Sequence, residues 1–135
     1  MNTAIMAILS VEEIKKLDVA CTALAEENQI RHVGVINVLG HLVAGGFRKG
    51  ITPLLAEDKI AMTYMQLMLD FKMRQELDDV LGPIDYIASR RTNQLIITVP
   101  IGENIVLITA EPNADDKKII KQAEELFDDI TITTV

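Results

Sequence analysis

Residues 57–74 read EDKIAMTYMQLMLDFKMR, and the spacing of side chains in this stretch decides how the rest of the chain can fold. The polar residues recur at helical spacing and form one narrow stripe, which predicts an α-helix. That stripe consists of Lys59, Thr63, Gln66, Asp70 and Arg74. A helix on the surface of a monomer normally carries one apolar stripe, whereas this helix carries nearly two. It is therefore predicted to lie between two apolar bodies, its own β-sheet and a second surface.

The helix has two apolar faces, one on each side of the polar stripe. The face assigned to the sheet consists of Ile60, Tyr64, Leu67, Met68 and Phe71. The other, named here the outer face, consists of Ala61, Met62, Met65, Leu69 and Met73. Methionine also fills irregular cores, so burial of both faces within one monomer is the alternative. The narrowness of the polar stripe favours a symmetric contact between two copies of the chain through the outer face.

The remaining segments predict the element order α-β-β-α-β-β-β-α. A first helix over residues 10–28 begins with a capping box formed by Ser10 and Glu13. Strands are predicted over 30–38, 41–48, 84–91, 95–100 and 104–110, and a last helix runs from residue 113 or 115 to residue 128. Residues 130–135 are a short β-prone tail. Thr52 and Pro53 fit the cap and first position of the long helix, and a bend or second short helix follows it before Gly82.

Two strand segments, LIITV at 95–99 and IVLITA at 105–110, are continuously apolar rather than alternating. Such runs indicate a sheet that is covered on both faces. The predicted fold class is α+β, a five-stranded antiparallel sheet with the first and last helices on one face and the long helix on the other. Gly45 and Gly46 within a strand predict a bulge or a close backbone approach, made either by a ligand or by a packed helix.

Composition and charge limit the function classes. A chain of 135 residues argues for one domain over 1–135. Its net charge of −7 and pI near 4.7 argue against a nucleic-acid partner. Its basic residues Arg31, Arg48, Lys49, Arg90 and Arg91 are either solvated strand ends or a patch for an anionic partner. The apolar stretch 3–9 is too short to insert in a membrane and lacks a signal peptide's basic region, which predicts a cytoplasmic protein.

Residues that carry catalytic or metal chemistry are few. The lone Cys21 lies on the apolar stripe of the first helix, which indicates a reducing compartment and a buried thiol. His32 and His41 lack the further ligands that a metal site needs, and are assigned to a strand and a turn. Neither a phosphate-binding loop nor a G-x-S-x-G motif occurs. The paired carboxylates at 78–79, 115–116 and 128–129 lie at helix ends. We predict no catalytic residue, no metal and no cofactor.

The element order resembles the roadblock/LC7 domain, within the profilin-like and longin-like group, over residues 10–128. The resemblance is carried by the hairpin VGVINVLGHLVAGGF at 33–47 and by the three-strand run DYIASRRTNQLIITVPIGENIVLITAEP at 85–112. It implies homodimers or heterodimers in which the long helices pack together and the edge strands after them pair. It also implies regulation or scaffolding of small GTPases, motor complexes or signalling platforms. It transfers no functional residue and therefore no partner identity.

Two functions follow as hypotheses from different classes. The first is a non-enzymatic interaction module, a homodimeric roadblock-like scaffold or regulator whose partner is a small GTPase or another signalling protein. The alternative is a small-molecule sensor, because profilin-like and PAS-like sheets can hold ligands against a helix. The cavity discriminates between them, since a sensor needs an apolar pocket with convergent polar groups and a scaffold needs an exposed apolar patch. An enzyme of another type ranks last.

We expect the purified protein to hydrolyse neither GTP nor ATP, because the sequence has no loop whose backbone amides could hold the phosphates. Phosphate release by the protein would be compared with release by a buffer blank carried through the same purification. Turnover that follows the protein peak through successive columns would contradict this expectation.

Overall fold

A computed structural model describes residues 9–128 and residue 130, in which a five-stranded antiparallel sheet carries helices on both faces. The elements in chain order are α1 (Val11–Leu24), β1 (Ile30–Ile36), β2 (Leu42–Phe47), α2 (Glu57–Gln75), α3 (Asp78–Leu81), β3 (Ile87–Arg90), β4 (Leu95–Ile101), β5 (Asn104–Ala110) and α4 (Asp116–Phe127). The predicted order and fold class are confirmed, and α3 is the second short helix. The predicted tail after Ile130 and the stretch before Leu9 lie outside the described residues.

The sheet has the strand order β2-β1-β5-β4-β3, so β2 and β3 are its edges. Every neighbouring pair of strands is antiparallel. The central strand β5 is buried along its whole length, which explains why its sequence is continuously apolar. β3 is shorter than predicted because only Ile87 to Arg90 pair with β4.

Two separate cores cover the faces of the sheet. On one face, α1 and α4 bury their apolar stripes against β1, β4 and β5. The buried residues of these helices are Leu17, Ala20, Cys21, Leu24, Ile119, Ile120, Ala123 and Phe127. On the other face, α2 packs Met68 and Phe71 against Ile36, Ile105 and Leu107. The predicted distribution of helices between the two faces is therefore confirmed.

Side-chain caps begin α1 and α4, but not α2. The Ser10 hydroxyl accepts from the Glu13 amide at 3.1 Å, while the Glu13 carboxylate accepts from the Ser10 amide at 2.8 Å, which confirms the capping box. The prediction that Thr52 and Pro53 begin the long helix is wrong. Its N-cap is Ala56, which makes no capping hydrogen bond. The Thr52 carbonyl instead accepts from the Arg31 guanidinium at 2.8 Å, which holds this segment in the preceding loop.

Gly45 allows α1 to lie directly against β2. Its φ is +71°, and a Cβ atom at this position would lie 2.2 Å from the Val33 carbonyl oxygen and 2.8 Å from the Cys21 sulfur. The Gly45 amide also donates to the Asp18 carboxylate at 2.6 Å. The predicted close backbone approach is thus confirmed, and it is made by a helix. The register shift of β2 lies opposite Val35 and Ile36, so the bulge alternative at Gly45 is wrong.

Comparing Gly45→Ala with Gly50→Ala should distinguish two contributions to the loss of stability. One is the cost of a positive φ, and the other is the steric clash of the new side chain with α1 and β1. Gly50 also has a positive φ, of 86°, but a Cβ atom there would have no neighbour within 4 Å. Gly50→Ala should lower the free energy of unfolding by about 1–2 kcal/mol, because alanine disfavours a positive φ. Gly45→Ala should lower the free energy of unfolding by about 1–3 kcal/mol more, because overpacking adds to the backbone cost. Chemical denaturation of both variants measures the difference, and equal losses would contradict the role of Gly45.

Candidate protein-interaction surface

The outer face of α2 points away from the sheet and is exposed to solvent. Met62, Met65, Leu69 and Met73 retain between 49% and 68% of their accessible surface, and Ala61 is exposed as well. On the opposite side of the helix, Met68 and Phe71 are each 2% exposed, and Tyr64 and Leu67 are partly buried against the same core. The structure therefore brings the five predicted interface residues onto one open face. Their contact with another molecule stays a prediction.

Apolar side chains in the turn that packs on α2 and in the segment that follows α2 are also exposed, and sequence reasoning did not assign them to an interface. A Cβ atom at Gly40 would lie 2.8 Å from the Met65 Cα atom, so the β1–β2 turn packs on α2 next to exposed Leu39. After α2, the short helix α3 leaves Leu77, Val80 and Leu81 exposed, Val80 by 84%. The sequence predicted a bend or second short helix at this point, and the structure has a helix of four residues, none of which is buried.

The edge strand β3 belongs to the same side of the molecule. Ile84 and Ile87 are partly buried and pack against the core that contains Met68 and Phe71. Along its other side β3 has no neighbouring strand among the described residues, because it pairs only with β4. An edge strand presents unpaired backbone amide and carbonyl groups. An apolar helix face and an open strand edge therefore occur together here.

The basic residues lie at one end of the sheet, and three of the five make hydrogen bonds or ion pairs within the chain. Arg31 binds the Glu111 carboxylate at 3.1 Å, and Arg48 donates to the carbonyls of Glu27 and Asn28. Arg90 donates to the carbonyl oxygens of Pro112 and Ala114, and lies 3.6 Å from the Asp116 carboxylate. Lys49 lies two residues after the end of β2, and Arg91 directly follows β3. These contacts favour the interpretation as strand ends over a patch for an anionic partner.

His32 is a buried structural residue of β1 that ties α2 to the sheet. Its Nδ1 lies 3.2 Å from the Leu107 carbonyl oxygen, which can only accept, so Nδ1 carries the proton. Its Nε2 then accepts from the Tyr64 hydroxyl of α2 at 2.7 Å. Burial lowers the pKa of His32 to about 4 and raises the pKa of Tyr64. His41 lies at the β1–β2 turn, where its amide donates to the Asn37 side chain.

The space beside this pair is small. A cavity of about 50 Å³ lies between β1, β5 and α2, next to His32 and Tyr64. The buried Thr109 hydroxyl on its wall has no hydrogen-bond partner among the described residues. Such a volume accommodates a few water molecules, whereas pockets for small-molecule ligands measure about 300–1,000 Å³. The cavity under α2 thus lacks the size that the sensor hypothesis requires.

Three further features of the described part of the chain concern metal binding, thiol chemistry and the membrane. In residues 9–128 and 130, no three His, Cys, Asp or Glu residues form a group that could hold a metal ion. Cys21 is buried, and its pKa is raised to about 12 by burial and by the nearby Asp18 carboxylate. This confirms the prediction of a buried structural thiol. No helix in this part of the chain has the length and apolar character needed to span a bilayer.

Comparison with known proteins identifies a sequence family and a group of similar folds. Residues 9–130 match a family described as a family of unknown function (DUF6659). No curated protein matches the sequence significantly. The fold is similar to a roadblock/LC7 domain from Streptomyces avermitilis, with a TM-score of 0.65, 10% identity, and coverage of 83% of this chain and 92% of that one.

Two further solved structures show the same likeness. Myxococcus xanthus MglB superimposes with a TM-score of 0.68 and 11% identity, over 88% of this chain and 94% of that one. A structure described as MglB with tetrameric arrangement has a TM-score of 0.72 and 11% identity, over 96% of this chain and 94% of that one. The resemblance to the roadblock/LC7 fold that the sequence indicated is therefore confirmed. At these identities the likeness concerns the fold alone.

The His32–Tyr64 pair predicts how stability depends on pH. The pKa of His32 falls from 6.5 to about 4 on folding, so the folded state favours the neutral imidazole. The contribution of His32 to the free energy of unfolding is therefore fully present above pH 6.5. It decreases by about 2–3 kcal/mol as the pH falls toward 4, because protonation of the imidazole favours the unfolded state. The free energy of unfolding should be measured between pH 7.5 and 4 for the wild type and for His32→Gln, which cannot titrate at this position. Parallel curves for the two proteins would contradict the assignment.

Proposed function

The chain belongs to the family of unknown function DUF6659 and has the roadblock/LC7 fold, and from this we propose that it is a homodimeric protein-interaction module. Two copies associate about a two-fold axis through the outer face of α2. The observation that carries the proposal is the exposure of four large apolar residues on this one helix face, Met62, Met65, Leu69 and Met73. A two-fold contact allows the same surface to cover itself, which makes it the simplest symmetric solution.

The size of the apolar surface supports this arrangement. Covering the five outer-face residues removes on the order of 300 Å² per copy, worth roughly 7 kcal/mol per copy before association costs. A stable interface needs about 800 Å² per partner, so the outer face alone is too small. Leu39 is exposed beside the turn that packs on α2, and Leu77, Val80 and Leu81 are exposed in the segment that follows α2. The proposed interface includes these residues together with the outer face of α2.

The edge strand β3 supplies the polar part of the proposed contact. Pairing of β3 with its copy joins the two five-stranded sheets and satisfies the backbone groups of Ile87–Arg90 that face away from β4. Antiparallel pairing of a strand with its own copy is compatible with a two-fold axis. The other edge, β2, then lies at the two outer ends of the joined sheet.

The proposed module acts by binding proteins rather than by catalysis. The structure described as MglB with tetrameric arrangement shows self-association in a protein of this fold, which supports self-association here. The partner class implied by the roadblock/LC7 resemblance is a small GTPase or another signalling protein, and we propose it for this chain. The cavity under α2, at about 50 Å³, gives no support to a sensor that holds its ligand between the sheet and this helix.

A single charge in the outer face should weaken the dimer without unfolding the chain. Met65 is half exposed, so Met65→Glu leaves the monomer core intact. Dimerisation would bury this charge without a partner, and the dissociation constant should rise by about 100-fold or more. Sedimentation velocity over a concentration series measures it. The matched control is Val19→Glu on α1, an apolar residue of similar exposure on the opposite face of the sheet, which should leave the dimer unchanged.

Two results would contradict the proposed dimer. One is a wild-type protein that remains monomeric at tens of micromolar. The other is a Met65→Glu protein that dimerises as tightly as the wild type, which would place the contact on another surface. Circular dichroism of each variant would confirm that a loss of mass reflects dissociation and not unfolding.

A further inference from the structure

A groove runs between α1 and α4 on the face of the molecule opposite α2. The two helices lie antiparallel, since Glu27 after the end of α1 pairs with Lys118 at the start of α4, at 3.5 Å. The groove consists of two adjoining depressions of about 350 and 440 Å³. Its walls include the apolar residues Val19, Ala20, Ala23, Leu126 and Ile130. Val19 retains 69% of its accessible surface and Ala23 is exposed, whereas Leu126 and Ile130 are partly buried and Ala20 is buried at the base of the groove.

The two ends of the groove carry opposite charge. Lys15 and Lys16 border the depression near Ile130. Glu26, Glu27 and Glu125 border the other depression. Glu27 is engaged with Lys118, so Glu26 and Glu125 carry the remaining negative charge at that end. The buried side-chain oxygen of Gln122 lies at the same end, and it has no hydrogen-bond partner among the described residues.

The chemistry of the walls favours a helix as the occupant. Both walls are helices, whose backbone groups are already hydrogen-bonded internally except at their ends. An extended peptide in the groove would find few backbone partners, whereas a helix satisfies its own amides and carbonyls. From Lys15 to Leu24, α1 rises about 14 Å, and the turn that holds Glu26 extends the groove further, which together match about three helical turns. The apolar strip between the charged ends matches the apolar face of an amphipathic helix.

We propose that this groove binds an amphipathic helix of about three turns from a partner protein, with an acidic first turn at Lys15 and Lys16 and a basic last turn at Glu26 and Glu125. Helices are stabilised by acidic residues in the first turn and basic residues in the last, so such a helix runs parallel to α1. The site is separated from α2 by the sheet, so it does not depend on the proposed dimer.

A displayed library of amphipathic peptides tests this site on the full chain. Each peptide has 14 residues, a fixed apolar stripe at helical spacing and random residues in its first and last turns. Peptides selected by the protein should carry Asp or Glu in the first turn and Lys or Arg in the last. The tightest peptide, made synthetically, should shift the backbone amide NMR signals of Val19, Ala23 and Leu126.

Charge exchange then tests the orientation. The double substitution Lys15→Glu and Lys16→Glu should raise the dissociation constant of the peptide by at least about tenfold. The doubly substituted protein should bind more tightly to a peptide whose end charges are exchanged. Lys59→Glu on α2 is the matched control and should leave the affinity unchanged. Val19→Glu should abolish binding, whereas Met65→Glu should not affect it. Peptide binding therefore succeeds or fails independently of dimerisation.

Several outcomes would overturn the proposal. Selected peptides without charge polarity would remove the basis of the orientation, and a library without binders would remove the site. Peptides that shift the amide NMR signals of α2, and whose binding is abolished by Met65→Glu, would place the binding surface on the outer face instead. A change in the sedimentation of the free protein on Val19→Glu would mean that a second copy of the chain occupies the groove.

Discussion

The structure depends on one constraint, which is that α2 carries more apolar surface than a single sheet face can cover. The sheet buries Met68 and Phe71 and leaves the outer face in water. Contiguous apolar patches are characteristic of interaction surfaces, and this is the basis of the proposed dimer. The hydrogen bond from the Tyr64 hydroxyl to His32 of β1, together with the burial of Met68 and Phe71, fixes which side of α2 faces the sheet. The same contacts that hold α2 on the sheet therefore keep its other side available for a second molecule.

The opposite face of the sheet is organised differently. Here α1 and α4 share the coverage, and Gly45 lets α1 approach β2 without an intervening side chain. Each helix buries one stripe in the usual way, and the exposed apolar residues are confined to the seam between them. The proposed dimer and the proposed helix site thus occupy opposite faces of one sheet. A protein of this design can hold a partner on each copy while the two copies remain joined, which is the arrangement that a scaffold requires.

Much of the fold could be predicted from the sequence because its periodicities are local. The capping box at Ser10, the continuous apolar run of β5 and the two-sided α2 each required only neighbouring residues. Thr52 misled the prediction because its carbonyl is used by Arg31, a contact that spans 21 residues. The groove between α1 and α4 was missed for the same reason, since Lys15 and Glu125 approach one seam only after the helices pack antiparallel. The five outer-face residues could be identified, but exposed Leu39 and Val80 depend on turn and helix lengths that periodicity does not specify.

The central claim is that α2 of one copy lies against α2 of another, and an intermolecular distance measures this most directly. Gln66 is an exposed α2 residue, and Cys21 is too buried to react, so Gln66→Cys accepts one spin label per chain. Packed helices lie 8–10 Å apart, so double electron–electron resonance should give one narrow distribution centred at about 20–30 Å. A label at Glu12 on α1 should give a longer distance. The absence of intermolecular coupling at Gln66, or a shorter distance at Glu12, would contradict the account.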